Sequence, residues 1–266
     1  MSRPNSSSDQ LPSALEHFDR IASKFKDRQL IVCLDYDGTL TPIVEQYDQA
    51  IVNEEMRALV QELSAKVTVA IVSGRDVAFI QKHMRIADAF YAGSHGFEII
   101  GPNAFHNELD EAKDVIPIFD RVEEELRALF PSSSKVEIER KKFAMAVHYR
   151  NAPPELVPEV KNKVDAIIGK HDSLKAGRGK MVIELRPAMD WHKGKAVEVI
   201  VDRLDRNNNA YVIYIGDDVT DEDAFRSITN GTGILVGSHG EATAAEYGLN
   251  DVGEVKSFLQ MLNESR

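Results

Sequence analysis

The run Ile31-Val32-Cys33-Leu34-Asp35-Tyr36-Asp37-Gly38-Thr39-Leu40 constrains this chain more than any other stretch. Four apolar residues read as a buried strand, and two carboxylates separated by a single residue close it. An acid pair at the end of a hydrophobic strand is costly unless something positive sits between the carboxylates. A hard divalent cation with oxygen ligands, Mg²⁺, answers that cost. It also leaves one aspartate free to attack phosphorus, because the cation screens the carboxylate from the charge of a phosphate.

Around this strand, helical and extended patterns alternate. Apolar spacing predicts helices over 11–26, 53–66 (with Asn53 as N-cap) and 76–84, and strands over 30–34, 67–72 and 89–92. Such alternation predicts a parallel sheet with right-handed crossovers. The middle of the chain reads differently. A helix over 114–129 precedes strands over 136–139 and 143–149, joined by Arg140-Lys141-Lys142. A second helix over 154–170 precedes strands over 173–176 and 181–185, joined across Gly177-Arg178-Gly179. After Pro187 the first pattern resumes, with helices over 194–204, 221–227 and 255–263 and strands over 211–215 and 233–236. The reading is α/β: a parallel-sheet core over 12–107 and 189–266, an inserted α/β domain over 108–188, and a polar, flexible tail over 1–11.

Composition narrows the function. A net charge of −11 argues against a nucleic-acid surface, yet leaves room for a small anionic substrate held by a metal and a few local cations. The one cysteine, Cys33, lies inside the apolar run and reads as core packing; a reducing, cytoplasmic setting fits a chain without an internal disulfide. Nothing approaches ~18 uninterrupted apolar residues, so no membrane span is expected.

Four core elements end in polar residues on the carboxyl side of an apolar run: Asp35/Asp37, Ser73, His95 and Asp217/Asp218. In an open parallel sheet, ligands collect at that edge. The first element resembles the D-x-D-G-T-[LV] signature of the haloacid dehalogenase-like phosphatases. Ser73, Lys193 and Gly216-Asp217-Asp218-x-x-Asp221 fit the second, third and fourth motifs of the same superfamily. Further stretches sharpen the likeness: Val72-Ser73-Gly74-Arg75, Gly93-Ser94-His95-Gly96, Val147-His148-Tyr149-Arg150, Glu184-Leu185-Arg186-Pro187 and Thr220-Asp221-Glu222-Asp223. With these, nearly the whole chain after the tail resembles the trehalose-6-phosphate phosphatases. His192 stands where that family often has an acidic residue before the lysine.

The resemblance implies a Rossmann-like core with an α/β cap, and hydrolysis of trehalose 6-phosphate to trehalose and phosphate with Mg²⁺. It also implies a functional coupling to the synthase that makes the sugar phosphate. Residue by residue, it makes Asp35 the nucleophile and Asp37 the general acid/base, whose site should hold its proton more tightly than that of Asp35. The metal would bind an oxygen of Asp35, the backbone carbonyl of Asp37 and Asp217, with Asp218 and Asp221 in support. Ser73 and Lys193, with the backbone N–H groups of Gly38 and Thr39, would hold the phosphoryl oxygens. Asp221, Glu222 and Asp223 also read as first-turn charges of a helix, and for Glu222 and Asp223 that reading is preferred. Sugar recognition falls to Glu139, Lys141 and Glu184, with Arg178, Lys180, Arg75 and His95 as additions. A phosphatase of another sugar phosphate, such as sucrose phosphate or mannosylglycerate phosphate, stays open as an alternative. So do a phosphomutase and a regulatory domain that only binds a sugar phosphate.

Overall fold

The computed structural model describes residues 6–7, 11–44, 49–179, 181–205 and 207–266. Apart from Ser6, Ser7 and Leu11, the expected 1–11 tail lies outside the described residues. The chain divides into two compact units, one of residues 1–107 and 191–266, the other of residues 108–190.

In chain order the strands are β1 (Ser6–Ser7), β2 (Gln29–Leu34), β3 (Thr68–Val72), β4 (Phe90–Gly93), β5 (Glu98–Gly101), β6 (Phe105–Glu108), β7 (Glu137–Arg140), β8 (Met145–His148), β9 (Leu174–Gly179), β10 (Val182–Pro187), β11 (Ala210–Gly216), β12 (Gly231–Val236), β13 (Ala242–Thr243) and β14 (Tyr247–Leu249). The main sheet runs β14-β12-β11-β2-β3-β4-β5-β6. Its pairs from β14 to β4 are parallel, while β5 turns back antiparallel on β4. A short ladder joins Ser6 to Thr243 and Ser7 to Ala242.

The strands of the main sheet read as near-continuous apolar runs because both faces are covered. Leu30, Val32 and Leu34 pack on one side with Ile21, Met56, Val60, Ile80 and Phe258 from helices Phe18–Phe25, Glu54–Ser64, Val77–Met84 and Val252–Glu264. Ile31 and Cys33 face the other side, against Ala196, Val197, Ile200 and Phe225 from helices Lys193–Leu204 and Glu222–Ser227. Cys33 is fully buried, and burial pushes its thiol up to about 12, so it is a core side chain and not a nucleophile at neutral pH.

Register decides where the chemistry emerges. Leu34 is level with Ile71 on β3 and with Ile215 on β11, and Val72 is level with Ala92 on β4. Asp35, Ser73, Ser94-His95 and Asp217 therefore leave the sheet along one edge, the carboxyl ends of adjacent parallel strands.

The predicted first helix is shorter than its pattern, covering Phe18–Phe25 only. Instead, Ser13 forms an isolated parallel bridge with Gly248 and residues 14–17 form a turn, with the Ala14 N–H donating to Gly248 O and the Gly248 N–H donating to Pro12 O. Pro12 and Ser13 extend the sheet beside β14, a pairing set by residues more than two hundred positions away.

The second unit carries an antiparallel sheet of order β7-β8-β10-β9. Met145, Val147, Ile183 and Leu185 form its core with Phe119, Val122 and Leu126 of helix Ile116–Leu129 and Val160, Val164 and Ile167 of helix Val157–Ile168. On the opposite face of the sheet, Glu139, Ala146, Glu184 and Gly177 stand in one cross-strand row. No helix among the described residues is long and apolar enough to cross a membrane.

Candidate active site

Asp35 follows the last residue of β2 and is 4 % exposed. Lys193, the first residue of its helix, is buried with it and donates from Nζ to Asp35 Oδ1 at 2.7 Å and to Asp221 Oδ1 at 2.8 Å. Asp217 follows the last residue of β11. Carboxylate oxygens of Asp35, Asp217 and Asp221 lie within 4.8 Å of one another. Three acids thus crowd around one ammonium.

That imbalance shows in the protonation of the cluster. Burial pushes the Asp35 carboxyl well above the usual carboxylate range; Lys193 opposes the shift, and the charges of Asp221 and Asp217 add to it. Burial, then the Asp221 charge, pushes Asp217 up to about 7. Burial works against the Lys193 ammonium, but Asp221 and Asp35 outweigh it and hold the lysine charged, above its usual range. The Asp217 Oδ1 atom is buried and accepts no hydrogen bond. An orphaned buried oxygen beside two further carboxylates is an all-oxygen donor set with excess negative charge, and a hard divalent cation fits it.

One measurement checks this. A carboxyl whose folded pKa is raised holds its proton longer than the unfolded chain does, so stability falls as pH rises from about 4 to about 7. In chelator, Asp217→Asn is therefore expected to be more stable than the parent near pH 8, by an amount that shrinks toward pH 4. Excess Mg²⁺ should reverse the order. A gap in melting temperature that does not change with pH would remove Asp217 from the strained cluster.

Gly38 makes the cluster possible. Its φ is +79°, and a Cβ there would sit 2.0 Å from Asp217 Oδ2. Its N–H donates to Thr41 O at 2.8 Å, so the amide expected to face phosphate is already used in closing the turn. Thr39 is fully buried, and its Oγ1 has no partner.

Asp37, expected to hold its proton more tightly than Asp35, is instead an ion-pair partner, while it is the Asp35 carboxyl that burial pushes up. Arg75 grips it with two charge-assisted hydrogen bonds, Nε to Oδ2 at 2.7 Å and a terminal nitrogen to Oδ1 at 2.6 Å. The guanidinium also lies over the Phe79 ring, 4.9 Å from its centroid. Both carboxylate oxygens of Asp37 are thereby engaged by one guanidinium. The Arg75 N–H donates to Ser73 Oγ at 3.1 Å, which turns that hydroxyl at the tip of β3.

His95 sits on a strained turn. Ser94, His95 and Gly96 have φ of 50°, 58° and 91°, and only the last is a glycine. Two non-glycine residues in succession in the left-handed region cost roughly 1–3 kcal/mol each. The turn brings the His95 ring against Gly74, where a Cβ would come within 3.0 Å of it, and the His95 N–H donates to Ser73 O.

Asp218 is exposed. It caps the short turn Val219–Asp221 reciprocally with Asp221: the Asp218 N–H donates to Asp221 Oδ2 at 3.0 Å. Asp221 is fully buried, with donors on both oxygens, so the first-turn-charge reading does not describe it. Glu222 and Asp223 do stand in the first turn of the helix Glu222–Ser227, as expected, but Glu222 is more than a surface charge. Glu222 is 3 % exposed and accepts from Thr243 Oγ1, from the Ala244 N–H at 2.9 Å and from Arg226; His239 Nε2 lies 3.2 Å away. It anchors the loop after β12 to the helix that follows Asp221, a role that needs partners seventeen or more residues away and leaves no local mark.

In the second unit, Lys141 donates to Glu184 Oε1 at 2.9 Å, and His148 Nε2 lies 2.9 Å from Glu139 Oε2. The row Glu139-Ala146-Glu184-Gly177 puts small residues beside the two acids; Arg186 lies over Gly177 and comes within 3.7 Å of Glu184, which therefore stands between two cations. Arg178 is not part of the row. It is level with Ile183, on the helix-covered face, and pairs with Asp165 at 2.5 Å. Lys180 lies outside the described residues.

One unit thus carries an acid-lysine-acid cluster at the edge of a parallel sheet, and the other is an inserted antiparallel sheet with two helices. The family model described as trehalose-phosphatase matches residues 33–253. A maize protein named trehalose 6-phosphate phosphatase RA3 is 38% identical over 268 residues, covering 94% of this chain and 74% of its own length. Trehalose-phosphate phosphatase B of Arabidopsis thaliana is 36% identical over 266 residues, covering 95% of this chain and 71% of its own. Among solved structures, the C-terminal domain of the Candida albicans trehalose-6-phosphate phosphatase superposes with a TM-score of 0.79 at 25% identity, covering 96% of this chain and 99% of that one. Since the family match runs from the residue before Leu34 and Asp35 to beyond Asp221, taking in both units, the chain belongs to the trehalose-phosphatase family.

Proposed function

We propose that this chain is a Mg²⁺-dependent phosphatase that hydrolyses trehalose 6-phosphate to trehalose and phosphate through an aspartyl-phosphate on Asp35. The observation that carries the proposal is the buried Asp35 carboxylate at the tip of β2, bonded to Lys193 with Asp217 beside it, all within the stretch that the family model matches. Lys193 holds Asp35 Oδ1, which leaves the other oxygen for phosphorus. The C–O–P linkage breaks as Asp37 gives its proton to the departing sugar oxygen; Asp37 then takes a proton from the water that cleaves the acyl phosphate. Arg75 keeps Asp37 in place until substrate competes for the guanidinium, which itself suits a phosphoryl oxygen. The Ser73 hydroxyl donates to another phosphoryl oxygen, and His95, fixed beside Ser73 and Gly74, lines the same edge. Asp35, the Asp37 carbonyl and Asp217 would hold Mg²⁺, with Asp218 behind them. When bound, the ion neutralises the carboxylates and withdraws charge from the phosphoryl group.

Sugar recognition belongs to the inserted cap. Glu139 and Glu184 accept from hydroxyls, and Lys141 donates to one. Arg178 is committed to Asp165 and drops out of that set. A glycosyl transfer that makes the sugar phosphate must supply the substrate, and a cytoplasmic setting suits both steps.

Phosphate release from a panel of sugar phosphates, with Mg²⁺ and then with chelator, tests the reading. Turnover of trehalose 6-phosphate should exceed that of the hexose phosphates and should vanish in chelator. Glu184→Ala is expected to lower kcat/KM for trehalose 6-phosphate by about tenfold to a hundredfold, the loss of one or two charged hydrogen bonds, and to leave a small phosphate ester almost unaffected. Equal losses on both substrates would take Glu184 out of sugar recognition.

A further inference from the structure

Lys193 can neutralise the site only if it stays between Asp35 and Asp221. Both carboxylates compete for it, at 2.7 and 2.8 Å. Nothing in the lysine's own helix settles that competition, because what matters is how much negative charge Asp221 has left to offer. A second donor supplies the answer. Tyr214 lies within β11, two residues before Gly216, and is fully buried. Its hydroxyl donates to Asp221 Oδ1 at 2.6 Å, the same oxygen that Lys193 reaches. The remaining oxygen of Asp221 takes the Asp218 N–H at 3.0 Å. Three donors thus fix the plane of the carboxylate, and Gly216 gives it room, since a Cβ there would come within 2.3 Å of Asp221 Cγ.

We propose that Tyr214 is a positioning residue for the phosphoryl transfer: its buried hydroxyl satisfies Asp221 Oδ1 and so keeps the Lys193 ammonium aimed at Asp35. The inference rests on the phosphatase reading above and adds to it a residue outside the sequence motifs. A phenol facing a carboxylate oxygen at 2.6 Å donates its hydrogen, since the carboxylate can only accept. Without that donor the charge of Asp221 Oδ1 is met by Lys193 alone. The ion pair on that side tightens, the one to Asp35 loosens, and the nucleophile loses the cation that orients it. The ring itself has a separate role in packing, edge-on to Phe225 at 5.6 Å and 88°. A buried phenol needs an acceptor, and a core position on this strand is filled as well by Val or Ile, as at Val212 and Ile213.

Tyr214→Phe separates the two roles, because it keeps the ring and removes only the hydroxyl. We expect kcat for trehalose 6-phosphate to fall about tenfold, the effect of one charge-linked hydrogen bond, with KM changed less than twofold. Tyr211→Phe is the control. It removes a buried hydroxyl from the same strand, one bonded to Thr232 at 2.7 Å away from the acids, and should cost stability without lowering kcat. A double-mutant cycle gives the sharper test. In an Asp221→Asn background, adding Tyr214→Phe should change kcat by less than twofold, because the hydroxyl acts only through Asp221. Unchanged kcat in Tyr214→Phe, equal kcat losses in both tyrosine variants, or losses that multiply in the double variant would each overturn the proposal. The unmodified enzyme is assayed alongside. If it releases no phosphate, the phosphatase reading fails and this inference with it; if it turns over normally while Tyr214→Phe is unaffected, only this inference falls.

Discussion

Asp35→Asn is expected to abolish phosphate release while the protein stays folded, with a melting temperature equal to or above the parent's. The activity loss should be on the order of 10⁴-fold or more, as for removal of a nucleophile in other covalent mechanisms. An amide is nearly isosteric with the carboxylate and still accepts from Lys193 through its oxygen, so the hydrogen bond at 2.7 Å has a replacement. It brings no charge into a site where burial and two neighbouring acids already push the Asp35 proton affinity up. Stability and activity therefore move in opposite directions, the mark of a site strained for function. Stopped-turnover assays with trehalose 6-phosphate, together with thermal melts in chelator, measure both. Retention of even a tenth of the parent kcat would exclude a covalent phosphoryl-aspartate on this residue. A sharp loss of stability would mean that the carboxylate is a structural ion-pair partner.

The elements of this site that could be read from sequence are those whose signal is local. Asp35/Asp37, Ser73 and Asp217 each interrupt an apolar run at its carboxyl end, and the parallel register then brings such ends to one edge of the sheet. The cap acids Glu139 and Glu184 enter through the family resemblance; what brings them into one cross-strand row is the register of β7, β8 and β10. What stayed hidden depends on distant partners. Tyr214 looks like one more apolar residue of a buried strand until Asp221 is folded under it. Glu222 looks like a helix-start charge until Thr243 and Ala244 reach it. Arg75 follows a serine and a glycine in a phosphate-binding pattern, but its side chain turns to Asp37, thirty-eight residues away. The antiparallel β5 leaves the βαβ alternation, and its short, half-buried residues carry no clear period. Arg178 errs the other way: the sequence pattern places it in the link between two strands and the resemblance adds it to the sugar site, whereas β9 runs on to Gly179 and its register on β10 turns Arg178 to the helix side and Asp165.

Lys193→Met should harm both fold and activity, unlike Asp35→Asn. The ammonium is 3 % exposed and is the cation shared by Asp35 and Asp221, both buried. Methionine fills the volume but leaves two carboxylates facing each other without a counter-charge. Breaking a buried pair in this way typically costs about 3–5 kcal/mol. The cost should depend on pH with a definite sign. With the lysine gone, nothing opposes the burial that raises the Asp35 carboxyl, so the folded variant keeps a proton that the unfolded chain releases near pH 4. The variant therefore loses stability as pH rises from about 4, and its deficit against the parent should be smallest in acid and largest near pH 8. Turnover should fall by on the order of 10³-fold or more, because the phosphoryl oxygens lose a preorganised cation and Asp35 loses its orientation together. Denaturant melts at several pH values and single-turnover assays separate the two effects. Lys193→Arg sharpens the comparison: it restores charge but cannot present one nitrogen to two carboxylates at 2.7 and 2.8 Å in the same geometry, so it should recover stability more fully than kcat. If Lys193→Met lost stability equally at pH 5 and pH 8, the acids around it would not be sharing its charge, and the electrostatic account of this site would fail at its centre.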